Sequence, residues 1–286
     1  MLLYPWMRKI VPALCFSAAM LFLPFWVERV NGTFRLVKVA IDIPFNPAWK
    51  SDLLSNDVRS VFSRPFFYLG RGAQAFVFES EDGRFVLKLF RGSPRIHPWM
   101  RFVRNTLRGK KERTSVKDKI PPLFAACKLA YTEARALTGI VYMHLNTTTN
   151  ELQSTFLINR MKRKIPVDLN QCRFVLQKKG RSISDGFMDA IEKKDRGKYV
   201  RLAQSVVSLL KERTEKKISN SDTTLWYNFG FLDETAIEWD FGRYYYNPDL
   251  NQLPVREQEM RFFTHSLQEF LNRAAPEWPI NLEEFL

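Results

Sequence analysis

Cysteine and histidine are scarce in this chain of 286 residues, three of each. Three cysteines, with Cys15 inside an N-terminal apolar run, exclude a disulfide scaffold and a zinc site built mainly from thiolates. His97, His144 and His265 are widely separated, which argues against a His-rich metal cluster. Twelve glycines and fifteen prolines follow no period, so collagen-like and linker-like character are excluded. Acidic residues are outnumbered, 30 Asp+Glu against 44 Lys+Arg, giving a formal net charge of +14. The apolar share of 45% and the charged share of 26% are those of a globular protein, which excludes wholesale disorder. The length suits one large domain or two small ones.

The longest charge-free run is Ile10 to Val27, preceded by Arg8 and Lys9 and closed by Glu28 and Arg29. It is just long enough to cross a hydrocarbon core of about 30 Å at about 1.5 Å per residue. An uncleaved membrane anchor is the favoured reading, because no small-x-small cleavage site follows; a cleaved signal peptide, which would make the protein secreted, and a buried core helix stay open. Basic residues flank the run on both sides, so its orientation is undetermined.

Beyond this segment 1–28, residues 29–60 read as a linker with one strand over Phe34 to Ile43. Three short strands follow, around Phe66–Gly70, Ala75–Ser80 and Arg84–Phe90, and Asp82-Gly83 between the last two is a hairpin signal. Residues 91–119 form a basic block ended by Pro121-Pro122. Within it, His97 to Leu107 has the pattern of a basic amphipathic helix, suited to an anionic membrane surface or to a lipid or phosphorylated substrate. A second basic cluster is Arg160, Lys162, Arg163 and Lys164. No nucleic-acid-binding module is recognisable, so nucleic acid is not expected as a partner. Leu123 to Leu145 has helical spacing, with Cys127, Ala130, Ala134, Leu137 and Val141 on one side. Two strands follow, near 154–161 and 171–180. Helices then dominate, one running to about Lys216 and a last one through Met260 to Leu271, with a short hairpin between Asn228 and Trp239. The expected fold class is α+β.

Several short motifs carry possible chemistry. Gly70-Arg71-Gly72-Ala73-Gln74-Ala75-Phe76-Val77 fits G-x-G-x-x-A-x-V between two strands. Paired glycines let a backbone approach a phosphate closely, and Val77 could pack on an adenine face. A strand, not a helix, follows, which disfavours a Rossmann reading. Lys88 sits in a strand on the face opposite Leu87 and Leu89, where it could be solvated or could reach phosphates as a point charge. Glu133, the lone acidic residue of the helix Leu123–Leu145, is the candidate partner for Lys88. Asp240-Phe241-Gly242 ends a strand, ten residues after Asn228-Phe229-Gly230, and Asp222 stands six residues before Asn228. Asn228 and Asp240 could share a Mg²⁺ bound to phosphates, and Asp222 could accept the proton of an attacking hydroxyl.

In this order, Gly70, Gly72, Ala75 and Val77, then Lys88, Glu133, Asp222, Asn228 and Asp240-Phe241-Gly242 resemble the protein-kinase-like superfamily over about residues 64–270. The resemblance implies a two-lobed fold: an antiparallel sheet with one helix over 61–180, carrying 91–119 as an insertion, and a small helical lobe over 181–286. It implies ATP and Mg²⁺ as cofactors, with Lys88 on the α/β-phosphates, Glu133 orienting Lys88, Asn228 and Asp240 on the metal, and Asp222 at the acceptor hydroxyl. The activity implied is a membrane-associated phosphotransferase acting on a protein, lipid or sugar hydroxyl, with the folded part in the cytosol. Three features depart from the pattern. Lys217-Ile218-Ser219-Asn220-Ser221-Asp222 stands where His-Arg-Asp is usual, Asp222 lies one residue further from Asn228 than is customary, and no Ala-Pro-Glu follows. A pseudokinase, binding nucleotide or acting as a scaffold without turnover, is therefore the alternative.

Overall fold

The computed structural model describes residues 34–92, apart from 35, 40 and 42, and residues 116–285. The N-terminal apolar run and the amphipathic helix expected at His97–Leu107 lie outside the described residues. Among the described residues no helix is long and apolar enough to cross a membrane.

The fold is mixed α+β. Its largest element is a curled seven-stranded sheet in the order β4-β7-β3-β2-β1-β5-β6. The strands are β1 (Phe66–Arg71), β2 (Ala75–Ser80), β3 (Phe85–Phe90), β4 (Ile140–His144), β5 (Ser154–Ile158), β6 (Lys164–Asp168) and β7 (Phe174–Lys178). All neighbours are antiparallel except β1 and β5, which run parallel. One face of this sheet is sealed by an aromatic core. Phe34 packs edge-on against Phe76 and Phe78, and Phe62 against Phe174, each fully or almost fully buried. Such crossed rings present positive edges to negative faces, which fixes their geometry beyond mere apolar burial.

The segment expected as a linker is packed onto the molecule through Phe34, Val39, Ile41 and Trp49. Its predicted strand does not form: a 3-10 turn occupies Leu36–Lys38. The alternation that suggested a strand instead buries Phe34 and Val39 as plugs beneath the sheet. A short helix, α1 (Asn56–Val61), capped by Ser55, leads into β1.

The opposite face receives α2 (Val116–Glu133), whose Leu123, Cys127 and Ala130 are buried. Pro121 and Pro122, expected to end the basic block, lie inside α2, where they remove two ladder donors near its start. The predicted helix Leu123–Leu145 stops earlier than its spacing suggests. Ala134 breaks it, α3 (Arg135–Thr138) adds one turn, and Gly139 at φ +66 closes that turn in the left-handed region. The β-branched and aromatic run after Gly139 is then β4, in register with β7.

The remainder is mostly helical: α4 (Ile183–Glu192), α5 (Arg196–Glu215) and α7 (Leu253–Ala274), with a one-turn α6 (Leu225–Asn228). Tyr199, Leu202, Ala203, Val206, Val207 and Leu210, predicted as one face of a helix, are all buried on α5. Two small sheets complete the fold, β8 (Arg181–Ser182) with β10 (Phe229–Leu232) and β11 (Thr235–Glu238), and β9 (Ile218–Asn220) with β12 (Tyr244–Tyr246). The β9–β12 pairing aligns Asn220 with Tyr244, which brings Asp222 and Asp240 to one end of the small sheet, facing β3.

Candidate functional site

A cleft of about 390 Å³ opens between the seven-stranded sheet and the turn Trp239–Arg243. Strand register builds its roof. Val77, Lys88 and Val175 are cross-strand partners on β2, β3 and β7, so three side chains line up on one face. All three line the cleft, with Val86 and Phe90 two residues either side of Lys88.

The Gly-rich turn forms the lip. Gly72 N–H donates to the Ala75 carbonyl at 2.9 Å, closing the hairpin. Arg91, which the sequence did not single out, holds it: its backbone N–H donates to Gln74 O at 2.8 Å and its guanidinium to Gly72 O at 3.1 Å. A Cβ on Gly70 would meet nothing within 4 Å, and one on Gly72 would meet only the Ala75 carbonyl oxygen, at 4.0 Å. The two glycines therefore leave open space along the lip that a bound group could use. Beneath the lip, Gly242 is close-packed: a Cβ there would lie 2.5 Å from Gln74 Oε1.

Lys88 points into the cleft. Its Nζ donates to the Trp239 carbonyl at 2.5 Å and lies 5.5 Å from the centre of the Phe241 ring. Burial pushes its pKa below the usual lysine value, and the charge of Asp240 partly opposes that shift. Glu133 is not brought to this point. It ends α2, is exposed, and does not line the cleft. The α2 residue that faces Lys88 is Cys127, six positions earlier, whose thiol is pushed far up by burial and so stays protonated. The expected Lys88–Glu133 pair fails because α2 ends just after Glu133 and presents its apolar stripe, Cys127 included, to the sheet.

Asp222 and Asp240 both line the cleft. Burial opposes ionisation of Asp222, but hydrogen bonds from Thr224 and Asn228 and the Arg243 charge outweigh it and hold its carboxyl below the usual value. It is thus a carboxylate at neutral pH. Asn228 sits behind the cleft rather than in it, almost fully buried. Its side-chain amide donates to the Asp222 carbonyl at 3.1 Å, and its own backbone carbonyl accepts from Trp239 N at 2.8 Å and Asp240 N at 3.3 Å. Asn228 therefore ties the two aspartates together.

A further brace was not foreseen. Asn220, at the end of β9, donates from Nδ2 to Glu238 Oε1 at 2.7 Å and to Asp240 O at 3.3 Å, and its Oδ1 accepts from Asp222 N at 2.9 Å. Gln177 also reaches the centre of the site, donating to the carbonyls of Thr138 and, at 3.4 Å, Trp239. The signal for Gln177 is an amide directly after the apolar run Phe174–Leu176, which a buried strand does not carry without a hydrogen-bond partner.

Among the described residues no group of three or more His, Cys, Asp or Glu side chains is arranged to hold a metal. Asp240, beside Lys88, and Asp222 are the two carboxylates on the cleft lining, the donor type that a hard divalent cation takes. The arrangement can bring Lys88, two carboxylates and a glycine lip to bear on a polyanion, with Lys178, Lys179 and Arg243 also on the lining.

No family model matches the chain. No curated protein matches it. Among solved structures it is similar to WbdD, at 16% identity over 74% of this chain and 40% of that one, with a TM-score of 0.35. It is also similar to Rv3197 from Mycobacterium tuberculosis, solved with erythromycin, at 15% identity over 92% of this chain and 75% of that one, with a TM-score of 0.31. The chain thus spans two fifths of the length of WbdD. Likenesses this distant carry no argument about what the chain binds or does.

Proposed function

We propose that this chain is a two-lobed, protein-kinase-like, membrane-associated phosphotransferase that binds ATP·Mg²⁺ in the cleft and passes the γ-phosphoryl group to a hydroxyl. The reading rests on the motif order Gly-rich turn, strand Lys, Asp…Asn and Asp-Phe-Gly. One observation supports it most: Lys88, Asp222 and Asp240, far apart in sequence, line a single cleft beneath the Gly70–Ala75 turn. In this reading Val77 and Val175 take the adenine, Lys88 the α/β-phosphates, and Asp240 the Mg²⁺. Asn228 acts through its hold on Asp222 and Asp240, and Asp222 positions the acceptor hydroxyl. With ATP as the donor, the folded part faces the cytosol.

The test is a Mg²⁺-dependent thermal shift with ATP, followed by phosphate transfer to lipid, sugar and protein acceptors. A shift that disappears in Lys88→Met and Asp240→Asn supports the site. No shift in the wild-type chain overturns the reading.

A second reading, a pseudokinase, is favoured by the placement of Glu133. A lysine whose neighbours are Trp239 O, Asp240 and a neutral Cys127 is held differently from one paired with a helix carboxylate. Nucleotide binding without transfer to any acceptor, and indifferent to Asp222→Ala, would select it.

A further inference from the structure

The cleft face of the large sheet extends past α2. On β1, Phe67 and Leu69 are 43% and 52% exposed, and on β5 Phe156 is 41% exposed. Register places them together: Phe67 pairs with Ile158, and Phe156 with Pro166 of β6. The turn joining β5 to β6 carries Arg160, Met161, Lys162 and Arg163, and Lys164 opens β6; all five are exposed, Met161 at 53%. It is a built turn. Buried Asn159 accepts from Arg163 N through its side chain at 2.8 Å, its carbonyl accepts from Lys162 N at 2.9 Å, and Lys162 takes φ +59. Among the described residues none of the four cations is ion-paired, and Lys164 Nζ lies 3.9 Å over the Phe156 ring. No acidic residue occurs between Ser154 and Val167.

We propose that the uncovered face of β1, β5 and β6, led by the tip Arg160–Lys164, rests on an anionic lipid bilayer. Charge complementarity supplies the first argument. Four unpaired cations around one apolar apex match a surface of negative headgroups over an apolar interior. Added-strand pairing fits less well, because Pro166 removes a backbone donor from the middle of edge strand β6. Chain geometry supplies the second. Phe34 is locked against Phe76 and Phe78 of β2, and only seven peptide steps separate it from Val27, at most about 24 Å when extended. Phe34 lies on the opposite face of the sheet, so with the charge-free run Ile10–Val27 in a bilayer the tether sets only how far the sheet can stand from the surface, and the exposed cations of the tip decide which face turns toward it.

Leu69 belongs both to this face and to the cleft, so docking turns the cleft mouth toward the headgroups. Only that consequence rests on the phosphotransfer reading; the docking itself does not, and its test needs no nucleotide.

Methionine oxidation reads the surface directly. Met161 and Met188, both exposed, report on the turn and on α4 in the same molecule. The full chain is treated with peroxide beside vesicles of phosphatidylcholine, and beside vesicles containing phosphatidylglycerol as well. Anionic vesicles should slow oxidation of Met161, by about tenfold when the site is saturated, and leave Met188 unchanged. The triple variant R160E/K162E/R163E should bind the same vesicles at least about tenfold more weakly. Equal Met161 oxidation with both lipids would overturn the proposal. So would equal protection by soluble polyglutamate, which would instead point to an acidic protein partner.

Discussion

Arg213 and Glu238 form a 2.8 Å ion pair in which neither side chain has any solvent exposure. The pair sits directly behind the cleft. Glu238 also accepts from Tyr244 Oη at 2.6 Å and from Asn220 Nδ2 at 2.7 Å, while Arg213 donates to Glu259 at 3.0 Å. Burial and the Glu238 charge push the Tyr244 hydroxyl far up, so it remains a donor to that carboxylate. Removing one partner would leave the other charge buried and unmatched. Arg213→Met should therefore destabilise the fold by about 3–5 kcal/mol, and Glu238→Gln, which keeps the shape and part of the hydrogen bonding, by less. Chemical denaturation with matched m-values checks this. An Arg213→Met protein as stable as wild type would show that the network contributes little.

Lys88 and Glu133 should respond oppositely to substitution. Lys88→Met removes the cation that faces Asp240 and should cost about tenfold to a hundredfold in affinity for ATP·Mg²⁺, the range of a hydrogen bond to a charged group. Glu133→Gln, on an exposed position outside the cleft, should leave that affinity within about twofold. Isothermal titration separates the two. A loss in Glu133→Gln as large as in Lys88→Met would require α2 to shift its register on the sheet when ligand binds.

How far the sequence reveals the site depends on which residues carry its meaning. Strands β1 to β3, the hairpin Asp82-Gly83 and the inward aim of Lys88 follow from alternation and turn chemistry, both local properties. The predicted helix runs too far because Leu137 and Val141 keep helical spacing across Gly139, and the one left-handed residue outweighs that spacing. Strand β6 is masked in the sequence because Pro166 stands at its centre and Lys164 and Asp168 leave only two apolar residues to show its period. Arg91 acts on backbone carbonyls and Asn220 on the backbone of Asp222 and Asp240 as well as on Glu238, contacts that depend on the fold and not on the local pattern. Cys127 was recognised on the buried stripe of the helix, yet its place opposite Lys88 depends on how α2 is seated, which is a matter of packing rather than pattern.

Gly230 should be intolerant of a side chain. A Cβ there would lie 2.1 Å from the Trp239 ring and 2.5 Å from the Arg181 carbonyl. The ring is held by its own hydrogen bond, Nε1 to Tyr227 O at 2.6 Å, and the carbonyl of the same Trp239 receives Lys88. Gly230→Ala should thus cost about 1–3 kcal/mol through overpacking. It should also weaken nucleotide binding, because displacing Trp239 moves the acceptor of Lys88. Paired measurements of unfolding and of ATP affinity check it. A change in neither would mean that the β8–β10–β11 sheet relaxes without disturbing the cleft.

His144 should make stability fall in mild acid. Its Nδ1 lies 2.7 Å from the Cys172 carbonyl, which can only accept, so that nitrogen carries the proton; Nε2 lies 3.1 Å from Thr148 Oγ1, whose own proton goes to Asn170 Oδ1 at 2.9 Å. Burial lowers its pKa to about 4, with the Arg173 charge acting in the same direction. Above pH 6.5 the ring is neutral in both folded and unfolded chains, and the stability is fully present. As pH falls below 6.5 the unfolded chain takes up a proton that the folded one refuses until about pH 4. The loss accumulates across that window to about 3 kcal/mol. Asp82, held at about 2 by hydrogen bonds from Ser80 and Arg84, contributes its own loss only at lower pH. Denaturation midpoints followed from pH 7 to pH 4 should therefore fall in the wild type and fall less steeply in His144→Gln. Equal slopes for the two proteins would show that the folded chain protonates His144 as readily as the unfolded one.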